Sequence, residues 1–417
     1  MKTFKKNIIA VAIASSLILP ATAFATNGMK SEGDGAKARG TGGAGVAMAN
    51  ENGSIVTNPA AVVGVGDRMD VAIGLFSPSP RKYSLTGNIN GFDGAQTSGQ
   101  DLFVIPAFGM AFPIDSQSAW SIGLNAAGGM NTEYSTNFGA VPTGATTKTG
   151  INLAQLFLSG TYGRKVGSNT TLGISAIAAY QTFEATGLEA FAGASTDGNA
   201  VSNNGVDSST GFGVKIGIQG DITPEFSYGV AYQPKITMSK FDKYKGLFPN
   251  QGEMDIPSTF TAGIAYDLNP KTTIVFDYLY IDYDGVAAIG NKVSEFPGKA
   301  FGATDGPGFG WDSINVFKLG VAYATSADWT YRVGWNHGDN PVQSDEVSVS
   351  FLAPGVTTDH LTLGFTNRID ANSEYTVDFV HSFKNSSSGA FSSAFGSGTM
   401  EVEMEQNFLE IAYSKMF

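Results

Sequence analysis

Side chains able to do covalent or proton chemistry are few in this chain of 417 residues. It has three histidines, His337, His360 and His381, and no cysteine. His381 falls on the apolar parity of its segment, and His360 directly precedes the apolar Leu361. Nucleophilic or acid–base catalysis needs a nucleophile, a base and an orienting group within hydrogen-bond reach. No Ser or Asp constellation accompanies any of the three, so a hydrolase is the weaker alternative and the chain reads as a non-enzyme. The absence of cysteine removes disulfides, thiolate metal sites and thiol nucleophiles. Asp and Glu are scattered without metal-ligand spacing, so neither a metal nor another cofactor is expected. A net charge of −12 argues against nucleic acid as a partner.

The residues that stand out are instead apolar ones in connections that solvent would fill with polar ones. Phe241, Tyr244, Leu247 and Phe248 cluster in one long connection, and Leu188 and Phe191 lie in the one before it. They either pack their own loops together or form a hydrophobic capture groove. Burying a methylene gains about 0.8 kcal/mol, so a sixteen-carbon chain gains on the order of 10 kcal/mol on leaving water. Capture is then easy and release is the problem, because a static water-filled pore would return the cargo to water.

The elements that position these residues are legible from both ends of the chain. Met1-Lys2-Thr3-Phe4-Lys5-Lys6 is basic, an apolar run follows from Ile8 to Leu19, and Ala23-Phe24-Ala25 is a small-residue site. This predicts a secretory signal peptide over 1–25, cleaved after Ala25. Beyond it no stretch of eighteen apolar residues offers a membrane helix. Gly is abundant (53), aromatics make up 12% and charged residues only 15%, against about 25% in typical soluble domains. At the other end, Phe408, Leu409, Ile411, Tyr413, Lys415 and the final Phe417 form an alternating segment closed by an aromatic. Together these point to a multi-pass β-barrel in the bacterial outer membrane, whose lipid face excludes charge.

Period-2 alternation recurs along the chain, as in Phe260-Ala262-Ile264-Tyr266, Ile274-Phe276-Tyr278-Tyr280 and Phe317-Leu319-Val321-Tyr323. Fourteen such segments start near residues 68, 103, 119, 152, 170, 209, 225, 257, 271, 312, 329, 357, 373 and 402. An even number suits a single-chain bacterial barrel. Asp277 and Asp378 sit on the opposite parity from the apolar rows, so the apolar parity should face lipid and the polar parity the lumen. Short connections near 114, 167, 221, 269, 327 and 370 alternate with long ones at 78–102, 129–151, 185–208, 237–256, 285–311, 338–356 and 385–401. Short turns belong on the periplasmic side and long loops outside. The third segment runs into Ala126-Ala127-Gly128-Gly129, where the glycines mark either a kink or the end of the strand.

Residues 26–67 do not alternate. They read Gly40-Thr41-Gly42-Gly43-Ala44-Gly45-Val46-Ala47 and then Asn58-Pro59-Ala60 before the first segment. A fourteen-stranded lumen is too wide for strand side chains to fill, and this segment could occupy it. With Leu158-Ser159-Gly160-Thr161-Tyr162 and the acidic, aromatic stretch from Phe248 to Pro257, the whole mature chain resembles the FadL-type outer-membrane transporters of long-chain fatty acids and hydrocarbons. Lys415 departs from the apolar or aromatic residue common at that position.

The expected fold is all-β: a fourteen-stranded antiparallel transmembrane barrel over 68–417 with an N-terminal plug, or hatch, over 26–67 in its lumen. The resemblance implies a hatch that includes Asn58, Pro59 and Ala60, a lateral opening beside a kinked third strand at Gly128 and Gly129, and an external apolar groove, for which Leu188, Phe191, Phe241, Tyr244, Leu247 and Phe248 are the candidate capture residues. A carboxylate cargo needs a cation. Lys318 has lumen parity, and Arg164 lies near a position where the family often carries a basic residue; either is a headgroup contact or an ordinary lumen charge. The expected partners are a long-chain fatty acid or another hydrophobic small molecule, with outer-membrane lipid and lipopolysaccharide around a monomeric barrel. An aromatic-hydrocarbon channel of the same family, an adhesin or phage-receptor barrel, and a porin-like diffusion pore are the alternatives.

Overall fold

A computed structural model describes residues 27–88, 94–135, 148–293, 298–393 and 396–417. The expected signal peptide lies outside the described residues. Sixteen strands form one antiparallel sheet. They are β1 (Arg68–Ser77), β2 (Arg81–Asn88), β3 (Gly94–Thr97), β4 (Phe103–Pro113), β5 (Ser118–Tyr134), β6 (Thr149–Val166), β7 (Thr170–Thr186) and β8 (Asp207–Thr223). They continue with β9 (Phe226–Gln233), β10 (Thr259–Asn269), β11 (Thr272–Ile281), β12 (Ile314–Ala324), β13 (Trp329–Gly338), β14 (Asp359–Asp370), β15 (Ser373–Ser393) and β16 (Gly396–Met416). β1 pairs with β4 on one side and with β16 on the other, so the fourteen strands other than β2 and β3 close into a barrel. Closure leaves no ring edge, which a sheet in hydrocarbon requires.

Alternation decides which face is which. Phe317, Leu319, Val333, Trp335, Leu361 and Leu363 are exposed on the outer surface, whereas Lys318, Asn336 and Thr362 between them are buried inward. Asp277 and Asp378 also point inward and are buried, as their parity predicts. Near the short turns, Trp329 stacks on Tyr331 and contacts Phe365, which meets Tyr375 edge-on. These rings form the aromatic girdle of an outer-membrane barrel at the interface.

Three expected connections carry strand instead, and the first of them, 78–102, contains β2 and β3. Residues 385–401, read as a long loop, are the upper parts of β15 and β16, which pair from Asn385↔Met404 to Ser393↔Gly396. The physical reason lies in β2, which pairs with Ser397–Met404 on the other side of β16. Met400, Val402 and Met404 alternate into the apolar core there with Tyr83 and Leu85, so the Ser-rich partner strand is carried by its neighbour. The loop expected at 129–151 likewise begins later, because β5 and β6 stay paired up to Tyr134↔Thr149.

The long connections pack on one another above the barrel around one apolar core, which includes Phe183, Phe241, Tyr244, Trp311 and Phe351. The segment before β1 carries short helical turns at Ala36–Arg39, Asn52–Thr57, Pro59–Ala61 and Val62–Val65. Asn58 caps the third: its Oδ1 accepts from Ala60 N at 3.1 Å, and Pro59 sits at the first helical position, where a missing N–H costs nothing.

The facing assignment is testable. Leu363→Arg, placed on the lipid side, should lower barrel stability in lipid vesicles by about 2–4 kcal/mol, read from denaturant-driven unfolding. An unchanged midpoint would mean that this face is not in contact with hydrocarbon.

Candidate functional site

The barrel wall is interrupted between β4 and β5. These strands pair from Pro113↔Ala119 up to Phe108↔Leu124 and no further. Above that rung β4 still pairs with β1 as far as Phe103↔Phe76, and β5 still pairs with β6 as far as Tyr134. Residues 103–107 and those above Leu124 therefore face one another without a ladder. Five residues at ~3.3 Å each make this gap roughly 16 Å tall. Pro106 lies within it, a residue with no N–H to offer a ladder and therefore suited to a strand edge.

A β-bulge sets the shape of the gap. The register of β5 on β6 shifts between Ala126 and Gly128, which pair with Leu156 and Gln155, so Ala127 is the extra residue. Bulges re-aim side chains and bend the strand. Here Ala126 packs against Phe76, Phe103, Ile105, Val380 and Phe408, and Ala127 packs against Phe157, Ile177, Ala179, Ile236, Met238 and Ile256. The bulge thus joins two apolar patches. The glycines predicted as a kink lie at this bulge, and the strand runs on past them.

The N-terminal segment covers the gap from within. Gly129 N donates to Met29 O at 3.1 Å. A Cβ at Gly128 would lie 2.7 Å from that same carbonyl oxygen, so the backbones meet only because Gly128 has no side chain. Met29 is held in turn by Tyr283, whose hydroxyl donates to Asn27 O at 2.5 Å and accepts from Met29 N at 2.9 Å and Lys30 N at 3.2 Å. Burial raises the Tyr283 phenol above its ordinary range, so it acts as a neutral donor. A cavity of about 70 Å³ lies against the gap, lined among others by Ala36, Ile55, Ile105, Phe108, Leu124 and Ala126. That is smaller than the ~150 Å³ apolar cavity that holds benzene, so entry of a chain requires the covering segment to move.

The rest of the segment is fastened to the inner wall by charge and by close backbone approach. Arg39 pairs with Glu410 of β16 at 2.8 Å and with Glu32 at 3.1 Å, Lys37 pairs with Glu374 of β15 at 2.6 Å, and Arg68 joins Glu374 at 2.7 Å. All are buried, where removing one partner of a pair costs roughly 3–5 kcal/mol. On the opposite side, Asp277 accepts from Gly45 N and Val46 N at 2.8 and 2.9 Å. Asn58 Nδ2 donates to Val46 O at 2.9 Å and to Ile218 O of β8 at 3.0 Å. A Cβ at Gly173 would lie 2.2 Å from the Pro59 carbonyl carbon, and one at Gly217 would lie 1.9 Å from Asn58 Oδ1. Asn58, Pro59 and Ala60 are therefore seated against wall glycines.

The remaining predicted residues separate. Leu188, Phe241, Tyr244 and Phe248 are brought into one buried core, with Phe191 and Leu247 packed on it. Phe191, Leu247 and Phe248 also line a cavity of about 30 Å³ with Phe183, Phe301 and Phe309. Tyr244 is spoken for, since its hydroxyl donates to Gly205 O at 2.8 Å and accepts from Ala185 N at 3.1 Å. Lys318 points inward as predicted, but its Nζ donates to Glu32 O at 2.6 Å and to Gly43 O at 3.3 Å, so it holds the N-terminal segment. Arg164 is exposed, opposite Ser118 beside a short turn, away from the apolar patches. Sequence reasoning missed Met29, Tyr283 and the Arg39 ion pairs. Pro106 inside an alternating segment was the available signal for the gap.

A closed fourteen-strand barrel with a lipid-facing apolar belt and an apolar-lined break in its wall defines an outer-membrane channel for hydrophobic molecules. Residues 11–407 match the family described as outer membrane protein transport protein (OMPP1/FadL/TodX), and the chain belongs to this family of outer-membrane transporters of hydrophobic substrates. It is 25% identical over 429 residues to the long-chain fatty acid transport protein of Escherichia coli (strain K12), covering 91% of this chain and 92% of that protein. The corresponding protein of E. coli O6:H1 is 23% identical over 449 residues, with 96% of each covered. Among solved structures, a Pseudomonas aeruginosa FadL homologue has a TM-score of 0.68 at 15% identity, covering 94% of this chain and all of that one. The P. putida toluene transporter TodX has a TM-score of 0.67 at 17% identity, covering 93% and 99%. Both share the fold. Family members are transporters and channels rather than enzymes.

The seating of the N-terminal segment can be tested at Gly173. Overpacking typically costs about 1–3 kcal/mol, so Gly173→Val should displace Pro59 and raise single-channel conductance in planar bilayers while the barrel stays closed. A conductance equal to wild type would show that this contact does not hold the segment.

Proposed function

We propose that this protein carries long-chain fatty acids across the outer membrane by capture at the external apolar core, movement of an N-terminal hatch, and lateral exit into the bilayer between β4 and β5. The observation that carries this reading is the interrupted β4–β5 ladder, flanked by two apolar patches that meet at the Ala126–Ala127 bulge. Cargo lying along these patches stays out of water from the external core to the lipid, which removes the release problem of a polar pore. No energy source is needed for a downhill transfer between apolar environments.

The hatch comprises residues up to about 67, and its two ends do different work. Asn58-Pro59-Ala60 and the Arg39 and Lys37 ion pairs form its anchored base. The stretch around Met29 is the part that shifts, because it is attached at the gap by neutral hydrogen bonds, one to Gly129 and three at the Tyr283 hydroxyl. Phe191, Leu247 and Phe248 admit the chain at the external end. One barrel contains the whole path, so a monomer is sufficient, with lipid and lipopolysaccharide around its outer belt. The fatty-acid reading follows the similarity to the E. coli long-chain fatty acid transport proteins, 25% identical over 91% of this chain.

Removing the bulge tests the exit. Deletion of Ala127 lets β5 pair with β6 without a register shift. Uptake of labelled oleate by cells carrying this variant should fall by on the order of tenfold, with normal heat-modifiable mobility of the barrel. Undiminished uptake through a folded deletion variant would rule out lateral exit at this bulge.

A further inference from the structure

Arg81 opens β2, outside the membrane-spanning ring, and is 4% exposed. Its Nη1 donates to Asn131 O and its Nη2 to Gln100 O, with a longer bond from Nη2 to Asn131 Oδ1 at 3.3 Å. Gln100 lies three residues before the start of β4 and Asn131 belongs to β5, so the guanidinium spans the external rim of the wall gap. Two further contacts close that rim: Gly99 N donates to Glu133 O at 2.8 Å, and Glu133 N donates to Ser98 Oγ at 3.0 Å.

What is unusual is that no counter-charge touches it; Asp101 acts on it only through space. Among the described residues Arg81 makes no ion pair, and its Nε has no hydrogen-bond partner. Asp101 is exposed and forms no bond to it. Burial lowers the Arg81 pKa to about 10, which leaves it charged at neutral pH. A buried cation without an anion is costly.

Its setting is apolar on one side. The guanidinium carbon lies 5.7 Å from the Phe103 ring centroid, and Phe103 belongs to the patch that Ala126 joins at the gap. Arg39 borders the same patch, 4.7 Å over Phe408, but it is already neutralised by Glu32 and Glu410. Of these two cations, only Arg81 is available to an incoming anion.

We propose that Arg81 is an anion subsite that receives the carboxylate of a single-chain amphiphile while its hydrocarbon tail lies along Phe103 and Ile105 toward the gap. The carboxylate takes the vacant Nε and supplies the negative charge that the neutral carbonyl acceptors lack, so a charge-assisted hydrogen bond becomes an ion pair. The proposal rests on the lateral-transport reading and adds a recognition step that distinguishes an acid from a neutral chain of the same length.

The test compares oleate with oleyl alcohol, which share the chain and differ in the headgroup, on the purified full-length protein in detergent. Arg81→Gln should weaken oleate binding on the order of tenfold and leave oleyl alcohol binding unchanged, with Arg81→Lys intermediate for oleate. Equal loss of both ligands, or loss of neither, overturns the subsite. If Arg81→Gln does not form a closed barrel, labelling of the wild type decides. An oleate analogue carrying a diazirine beside its carboxyl should label residues 98–105 or Arg81, and adducts confined elsewhere overturn the proposal. Wild-type protein that binds oleyl alcohol but not oleate overturns the subsite alone. Protein that binds neither of these nor toluene overturns the transport reading and the subsite with it.

Discussion

Hydrocarbon offers no partner to an unpaired peptide group, and the rest of this structure depends on that constraint. Each backbone N–H and C=O in the membrane must find its partner around the ring, because an orphaned one costs several kcal/mol. Fourteen strands meet the requirement along nearly all of their mutual edges. The β4–β5 edge does not, and the neighbouring features compensate for it. Pro106 removes one donor from the unpaired stretch. The bulge at Ala127 turns the strand, Met29 supplies an acceptor to Gly129, and Arg81 supplies donors to the carbonyls at the upper rim. An interruption supported from several sides in this way is a built feature of the wall.

The N-terminal segment combines two kinds of attachment with different consequences. Buried ion pairs are weak evidence of net stability but are strongly directional, since breaking either partner strands a charge. Arg39, Lys37 and their carboxylates therefore fix where the segment sits. The contacts at Met29 are neutral hydrogen bonds, each with a net value of only about 0.5–1.5 kcal/mol. A molecule gaining about 0.8 kcal/mol per buried methylene can displace those contacts without disturbing the ion pairs. Firm anchoring at one end and light anchoring at the other is what a movable cover over a fixed opening needs.

Much of the fold was legible in the sequence because a barrel in lipid imposes parity on every strand. Phe317, Lys318 and Leu319 betray their facing by residue type alone, and the alternation of short and long connections gave the order of the strands. The upper part of β15 escaped because Asn385–Ser388 and Gly389 carry no apolar row, and their pairing depends on β16 and β2. The site was less legible. Gly128 and Gly129 stood out as a possible kink, yet the role of Gly173 and Gly217 was hidden, since a glycine that makes room for another backbone looks like any other. Lys318 showed its parity but not its partners, which are main-chain oxygens of Glu32 and Gly43 distant in sequence. The apolar loop residues were found, although burial of Phe241 and Tyr244 makes them the floor of the external core and leaves Phe191, Leu247 and Phe248 at its cavity.

The central claim is that cargo leaves through the side of the barrel between β4 and β5. The natural absence of cysteine makes this directly testable with Ala107→Cys and Asn125→Cys, which stand one step beyond the last paired rung, Phe108↔Leu124. Transfer of oleate into the bilayer of reconstituted vesicles is measured with the disulfide formed and again after reduction. Lateral exit predicts transfer that is blocked when the two strands are joined and recovers when the bond is reduced. Transfer that continues undiminished with the strands covalently joined would contradict it.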